Sequence, residues 1–174
     1  MSAPATEPDR VTAVGLLFEA AAGLRRTLAP ATEEQLGVAG QAFEILIRLY
    51  RSPGHALRMS DLAAQTGLTP SGLTRAVDRI EVAGLVEREA CEEDRRGAFA
   101  RLTALGIERT DAAIAQHREE VDALFGALFT TKEEETLVDL LRRIRDQVHP
   151  DAAHLSDDLS CIDALEVKRT RSAR

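Results

Sequence analysis

A mainly α-helical fold with one small β-hairpin is what this 174-residue sequence predicts, and three observations predict it. Apolar residues recur at spacings of three and four over most of the chain, the period of a helix with one buried face. Aromatic residues are only 3% of the composition and Trp is absent. Ala and Leu dominate the apolar set, which favours closely packed helices over a β-sandwich. Residues 85–102 change to short strand-like runs on either side of a polar tip.

Residues 1–9 carry two prolines and no periodicity, and read as a frayed start. From Arg10, the residues Val11, Val14, Leu17, Phe18, Ala21, Leu24 and Leu28 form an amphipathic stripe that should end near Pro30. A next helix could open on Thr32 as cap, with Gln35 three residues on. Gly37 and Gly40 interrupt its first half. Its second half, Gln41 to Tyr50, is strongly apolar through Phe43, Ile45, Leu46 and Leu49 and should be buried. Arg51-Ser52-Pro53-Gly54 ends it. Ala56 to Met59 is a short strand candidate that could pair with the hairpin.

Met59 to Arg101 is the stretch around which the chain is organised. Ser60 is the expected cap of a short helix that buries Leu62, Ala63 and the turn residue Leu68. Gly67 stands where a helix-to-helix turn wants positive φ. Thr69-Pro70 opens a second helix, a hydroxyl cap followed by proline at the first helical position. On that helix Leu73, Val77 and Ile80 lie within roughly 60° of one another, and Ser71, Arg75 and Asp78 lie opposite. Strand-like Leu85–Ala90, a polar tip from Cys91 to Gly97, and strand-like Ala98–Leu102 follow. Helix, turn, helix, hairpin is the order of a winged helix-turn-helix, in which the second helix is the groove-reading element.

Thr103 starts a long helix running to about Phe129. Thr131-Lys132-Glu133-Glu134 reads as the capping box of a last helix, whose apolar positions are Leu137, Leu140, Leu141, Ile144 and Val148. Helices at both ends carry stripes with no sheet to cover, so a helical dimer interface is the economical answer. The chain therefore divides into residues 10–51 (N-terminal helices for dimerisation and scaffold), 52–102 (winged helix-turn-helix module), 103–149 (C-terminal dimerisation helices) and 150–174 (polar extension).

The formal charge of −7 is awkward for a nucleic-acid partner. Within residues 56–102 seven Arg face eight Asp plus Glu, so even the module is not basic overall. Placement matters more than the sum: Arg75 and Arg79 fall on one side of the second helix, and Arg95 and Arg96 at the hairpin tip. The acidity predicts weak non-specific binding at physiological salt. No apolar run approaches the roughly 18 residues of a membrane span. Two cysteines form no disulfide framework and the first residues lack a signal layout, so the expectation is cytoplasmic. Nucleophile elbows, phosphate-cradling glycine loops and His-Glu-x-x-His are absent, so no enzyme is expected.

The run L-T-P-S-G-L-T-R-A-V-D-R-I-E, then A-G-L-V-E-R, then E-D-R-R-G-A-F-A-R-L-T-A-L-G, resembles the MarR family of bacterial transcriptional regulators, over about residues 10 to 148. The resemblance implies a homodimeric, ligand-responsive regulator, most often a repressor, on a near-palindromic double-stranded DNA operator. It places Thr69, Ser71, Gly72, Thr74, Arg75 and Arg79 against the DNA, with Arg95 and Arg96 on the wing. Arg96 would enter the minor groove, and Asp94 would orient the wing. Glu92 and Glu93 depart from a basic wing. A small-molecule effector, commonly an aromatic acid or lipophilic compound, would sit in a cleft drawn from Phe18, Phe43, Leu46 and Tyr50, although each of these singly reads as core. Some members sense zinc, for which His149, His154 and Cys161 are the candidate ligands, in a spacing that fits no closed tetrahedral site. A winged-helix protein-interaction module that binds no DNA is the rival reading.

Overall fold

The computed structural model describes residues 9–90 and 98–153. Six helices, α1 (Arg10–Leu36), α2 (Ala42–Arg51), α3 (Met59–Thr66), α4 (Pro70–Val82), α5 (Ala104–Leu128) and α6 (Thr131–Val148), surround a small sheet. Its strands are β1 (Ala56–Arg58), β2 (Val86–Ala90) and β3 (Ala98–Leu102), all antiparallel in the order β1-β3-β2. The short N-terminal strand pairs with the hairpin as expected, Leu57 lying opposite Ala100.

Three helix starts differ from the sequence reading. Pro30 does not end α1, which runs unbroken to Leu36 and stops at Gly37 in the left-handed region. Proline leaves one carbonyl on the preceding turn unpaired. Beyond it, however, Thr32 and Leu36 are buried, and Thr32 turns its hydroxyl back onto the Ala29 carbonyl instead of opening a new helix. Packing of α1 along α5 carries the helix through the proline. Ser60 is not a cap either: α3 begins at Met59 with Arg58 in the cap position, two residues before Ser60, and the Ser60 hydroxyl goes to Asp61. The last helix does have a capping box, but one residue earlier than the Thr131–Glu134 expected, formed by Thr130 and Glu133.

The core lies where α2, α3, α4 and the sheet meet. Ile45, Leu46 and Leu49 of α2, Leu62 of α3, Leu73, Val77 and Ile80 of α4, and Leu57, Leu85, Val86 and Leu102 around the sheet close one cluster. The start of α5 is fixed to it tightly. Thr103 caps α5 by accepting from the Gly106 amide at 2.9 Å and donates its hydroxyl to the Gly84 carbonyl at 2.7 Å. A Cβ on Gly106 would stand 1.9 Å from the Leu85 carbonyl oxygen, so no other residue allows this approach.

Burial falls off away from this point. The buried residues of α5 are Gly106, Thr110 and Ala113, all in its first half, and α6 has none. Val11, Leu16 and Phe18 on α1, and Leu128, Leu140, Ile144 and Val148 beyond it, are exposed apolar side chains. No helix among the described residues is long and apolar enough to cross a membrane.

Candidate nucleic-acid interface

Helix α4 is held by one face and presents the other. Leu73, Ala76, Val77 and Ile80 are buried, while Ser71, Thr74, Arg75, Asp78 and Arg79 are exposed. The short α3 stops at Gly67, whose φ of 66° lets its amide and that of Leu68 close onto α3 carbonyls. Two residues later Thr69 caps α4, accepting from the Gly72 amide at 3.1 Å, with Pro70 at the first helical position. The Thr74 hydroxyl donates back to the Pro70 carbonyl at 2.9 Å, which leaves its oxygen free to accept. Arg75 points outward with no ion pair among the described residues. Arg79 leans toward the loop after α1, its Nη2 4.0 Å from where a Cβ on Gly40 would be. Thr69, Ser71, Gly72, Thr74 and Arg75 thus share the N-terminal half of one helix face; Arg79 sits to the side.

The hairpin β2–β3 flanks that helix. Asp94, Arg95, Arg96 and Cys91 lie outside the described residues. Two arginines on its strands were not singled out from the sequence. Arg88 on β2 reaches back to α4, donating to Asp78 at 2.5 Å and to the Thr74 carbonyl at 3.1 Å, with Glu81 at 3.5 Å. Arg101 on β3, only 3% exposed, pairs with Glu89 at 3.1 Å and donates to the Gly54 carbonyl, locking the hairpin to the turn before β1. The signal was strand alternation. Arg88 shares its face with buried Val86 and must turn toward the helix, while Glu87 and Glu89 share the other with Arg101.

A cavity of about 470 Å³ opens between α1, α2 and α5, lined by Leu24, Arg25, Leu28, Phe43 and His117 among others. His117 stacks against Phe43 with ring centroids 4.9 Å apart, and its buried Nδ1 has no partner among the described residues. Of the four residues expected to line an effector cleft, Phe43 lines this cavity. Leu46 is fully enclosed in the core, and Phe18 is 70% exposed on α1. Tyr50 donates to Asp111 on α5 at 2.7 Å, a bond to the carboxylate that raises its ionisation above the usual 10.0.

Of the candidate zinc ligands, His149 caps the end of α6 with its Nε2 2.8 Å from the Ala64 carbonyl of α3; His154 and Cys161 lie outside the described residues. Among the described residues no three His, Cys, Asp or Glu side chains gather as a metal site.

A helix held by its buried face and presenting the other, beside a strapped hairpin, defines a winged helix-turn-helix protein. A family model for the MarR family matches residues 36–97. The solved structure of AbsC, a MarR family transcriptional regulator from Streptomyces coelicolor, is 31% identical, with a TM-score of 0.66 over 84% of this chain and 98% of that one. Sco3205, a MarR family transcriptional regulator from the same organism solved in complex with DNA, is 29% identical, with a TM-score of 0.74 over 89% and 96%. NadR, solved in complex with 4-hydroxyphenylacetate, is 27% identical, with a TM-score of 0.64 over 82% and 97%. This chain belongs to the MarR family of transcriptional regulators. Its relatives and structural neighbours are regulators, not enzymes.

Proposed function

We propose that the chain is a homodimeric, ligand-responsive repressor that reads a near-palindromic operator in the cytoplasm. The observation that carries this reading is the outer face of α4, where Ser71, Thr74 and Arg75 stand exposed while the opposite face is buried. Arg75 is the base-reading residue, since a guanidinium offers two donors to the O6 and N7 of guanine. Thr69, Ser71 and the backbone around Gly72 meet a phosphate at the helix start, where free N–H groups and the helix dipole favour an anion. Thr74 and Arg79 flank them. On the wing, Arg95 and Arg96 make further contacts, Arg96 in the minor groove, and Asp94 orients the tip. The complex of Sco3205 with DNA supports the general mode.

The exposed apolar residues on α1 and α6 support dimerisation through helices from both ends of the chain. Two-fold pairing sets the two α4 helices about one DNA turn apart, roughly 34 Å, so the operator is a near-palindrome. A dimer seated over that turn excludes other proteins from it, which is repression where the operator overlaps a promoter. The cavity beside Phe43 and His117 supports an effector site. The 4-hydroxyphenylacetate complex of NadR makes a small aromatic acid the first class to try. An effector releases DNA only if it binds the released spacing more tightly than the bound one.

The test is a fluorescence-anisotropy titration of the protein with DNA from upstream of its own gene at several salt concentrations. A linear fall of log affinity with log salt is expected. Arg75→Ala should lose at least about fivefold in affinity, the lower end of a bidentate base contact, without loss of fold. Absence of binding at low salt would favour a protein-interaction module instead.

A further inference from the structure

Part of the acidity that weighs against DNA binding stands where it should do most harm. Helix α4 carries Arg75 and Arg79 but also Asp78 and Glu81, so its own charges cancel. Asp78 lies three residues from Arg75 and four from Thr74, on the outer face, with its side chain half exposed. A carboxylate there would meet the phosphate backbone as a like charge.

Arg88 stands against that stripe. It donates to Asp78 at 2.5 Å and to the Thr74 carbonyl at 3.1 Å, and its Nη1 is 3.5 Å from Glu81. Its backbone amide donates to Glu81 as well, at 3.3 Å. Thr74, Asp78 and Glu81 follow one another at four and three along a single stripe. One planar, permanently charged fork therefore covers both carboxylates and ties the hairpin strand to the helix over two turns. A buried salt link would be a poor device, because desolvation offsets it. This one is partly exposed, its arginine 29% and its aspartate 51%, so its worth to folding is small. Its effect should fall on whatever approaches the helix.

We propose that Arg88 is a positioning residue for DNA recognition: it neutralises Asp78 and Glu81 on α4 and fixes the hairpin beside them, converting an electrically neutral helix into one that admits phosphate. The inference rests on α4 being the DNA-reading helix. Arg88 itself touches no DNA; it acts through the two carboxylates and through the angle of the wing.

The test compares four full-length proteins on one operator duplex by anisotropy: wild type, Arg88→Met, Arg88→Lys, and Arg88→Met combined with Asp78→Asn and Glu81→Gln. Glutamine at 81 keeps an oxygen for the Arg88 amide, so the strand stays seated in the combined variant. Arg88→Met is expected to lose about tenfold or more in affinity at low salt, and the deficit should shrink as salt rises, because repulsion is screened. Arg88→Lys, which keeps the charge but not the fork, should recover part of the loss. The combined variant should return to within about threefold of wild type. Melting curves of all four should agree within a few degrees. If the combined variant binds no better than Arg88→Met, or if Arg88→Met binds like wild type, the proposal is overturned. Failure of the wild type itself to bind would instead remove the reading of α4, and this inference with it.

Discussion

The two halves of this molecule are stabilised differently. Around the sheet, Leu57, Leu62, Leu73, Val77, Ile80, Phe99 and Leu102 are all essentially inaccessible, and the module closes its own core. In α6, by contrast, no residue is buried, although Leu137, Leu140, Leu141 and Ile144 keep a helical apolar stripe. The same contrast runs along α5, buried in its first half and open in its second. One region satisfies its hydrophobic pattern within the chain. The other keeps a helical apolar stripe that nothing among the described residues buries, which is what the proposed pairing with a second copy would cover.

Substitutions should therefore act differently in the two halves. Ile80→Ala, in the closed core, should cost about 2–5 kcal/mol, the lost burial plus the cavity left behind. Urea unfolding measures this, and a loss near zero would mean the α4 core is not closed. Leu141→Glu with Ile144→Glu should leave the module's melting little changed while halving the mass seen by sedimentation velocity. A dimer that survives both glutamates would erase the contrast. The smallest effect expected is at the start of α6. The backbone amide and then the hydroxyl of Thr130 bond the Glu133 carboxylate and hold it below its ordinary 4.5. A group depressed on folding adds stability above its unfolded value and loses it as pH falls through the folded one. Helicity should thus decline modestly below about pH 4.5, and Glu133→Ala should abolish that dependence.

Much of the module could be read from the sequence because local rules and tertiary packing agree there. Thr69-Pro70, Gly67 and the buried stripe of Leu73, Val77 and Ile80 all specify one geometry, and the structure has it. Pro30 misled because the local rule and the packing conflict: proline disfavours helix, yet Thr32 and Leu36 are anchored in the core and α5 supports the helix between. Arg88 was overlooked for another reason. A sum of charges hides its role, which depends on the strand parity that turns it onto α4. The cavity beside Phe43 and His117 was out of reach, because apolar residues that line a space and those that fill one have the same periodicity.

On the proposed reading, two copies of a self-contained reading module are set at a fixed spacing by helices that pair between chains. Selection of bound DNA from a random-sequence duplex pool by the full-length protein tests it most directly. Enriched sequences should carry two inverted half-sites centred about one helical turn apart, roughly 10 base pairs. Enrichment of a single unpaired half-site, or of no sequence at all, would contradict it.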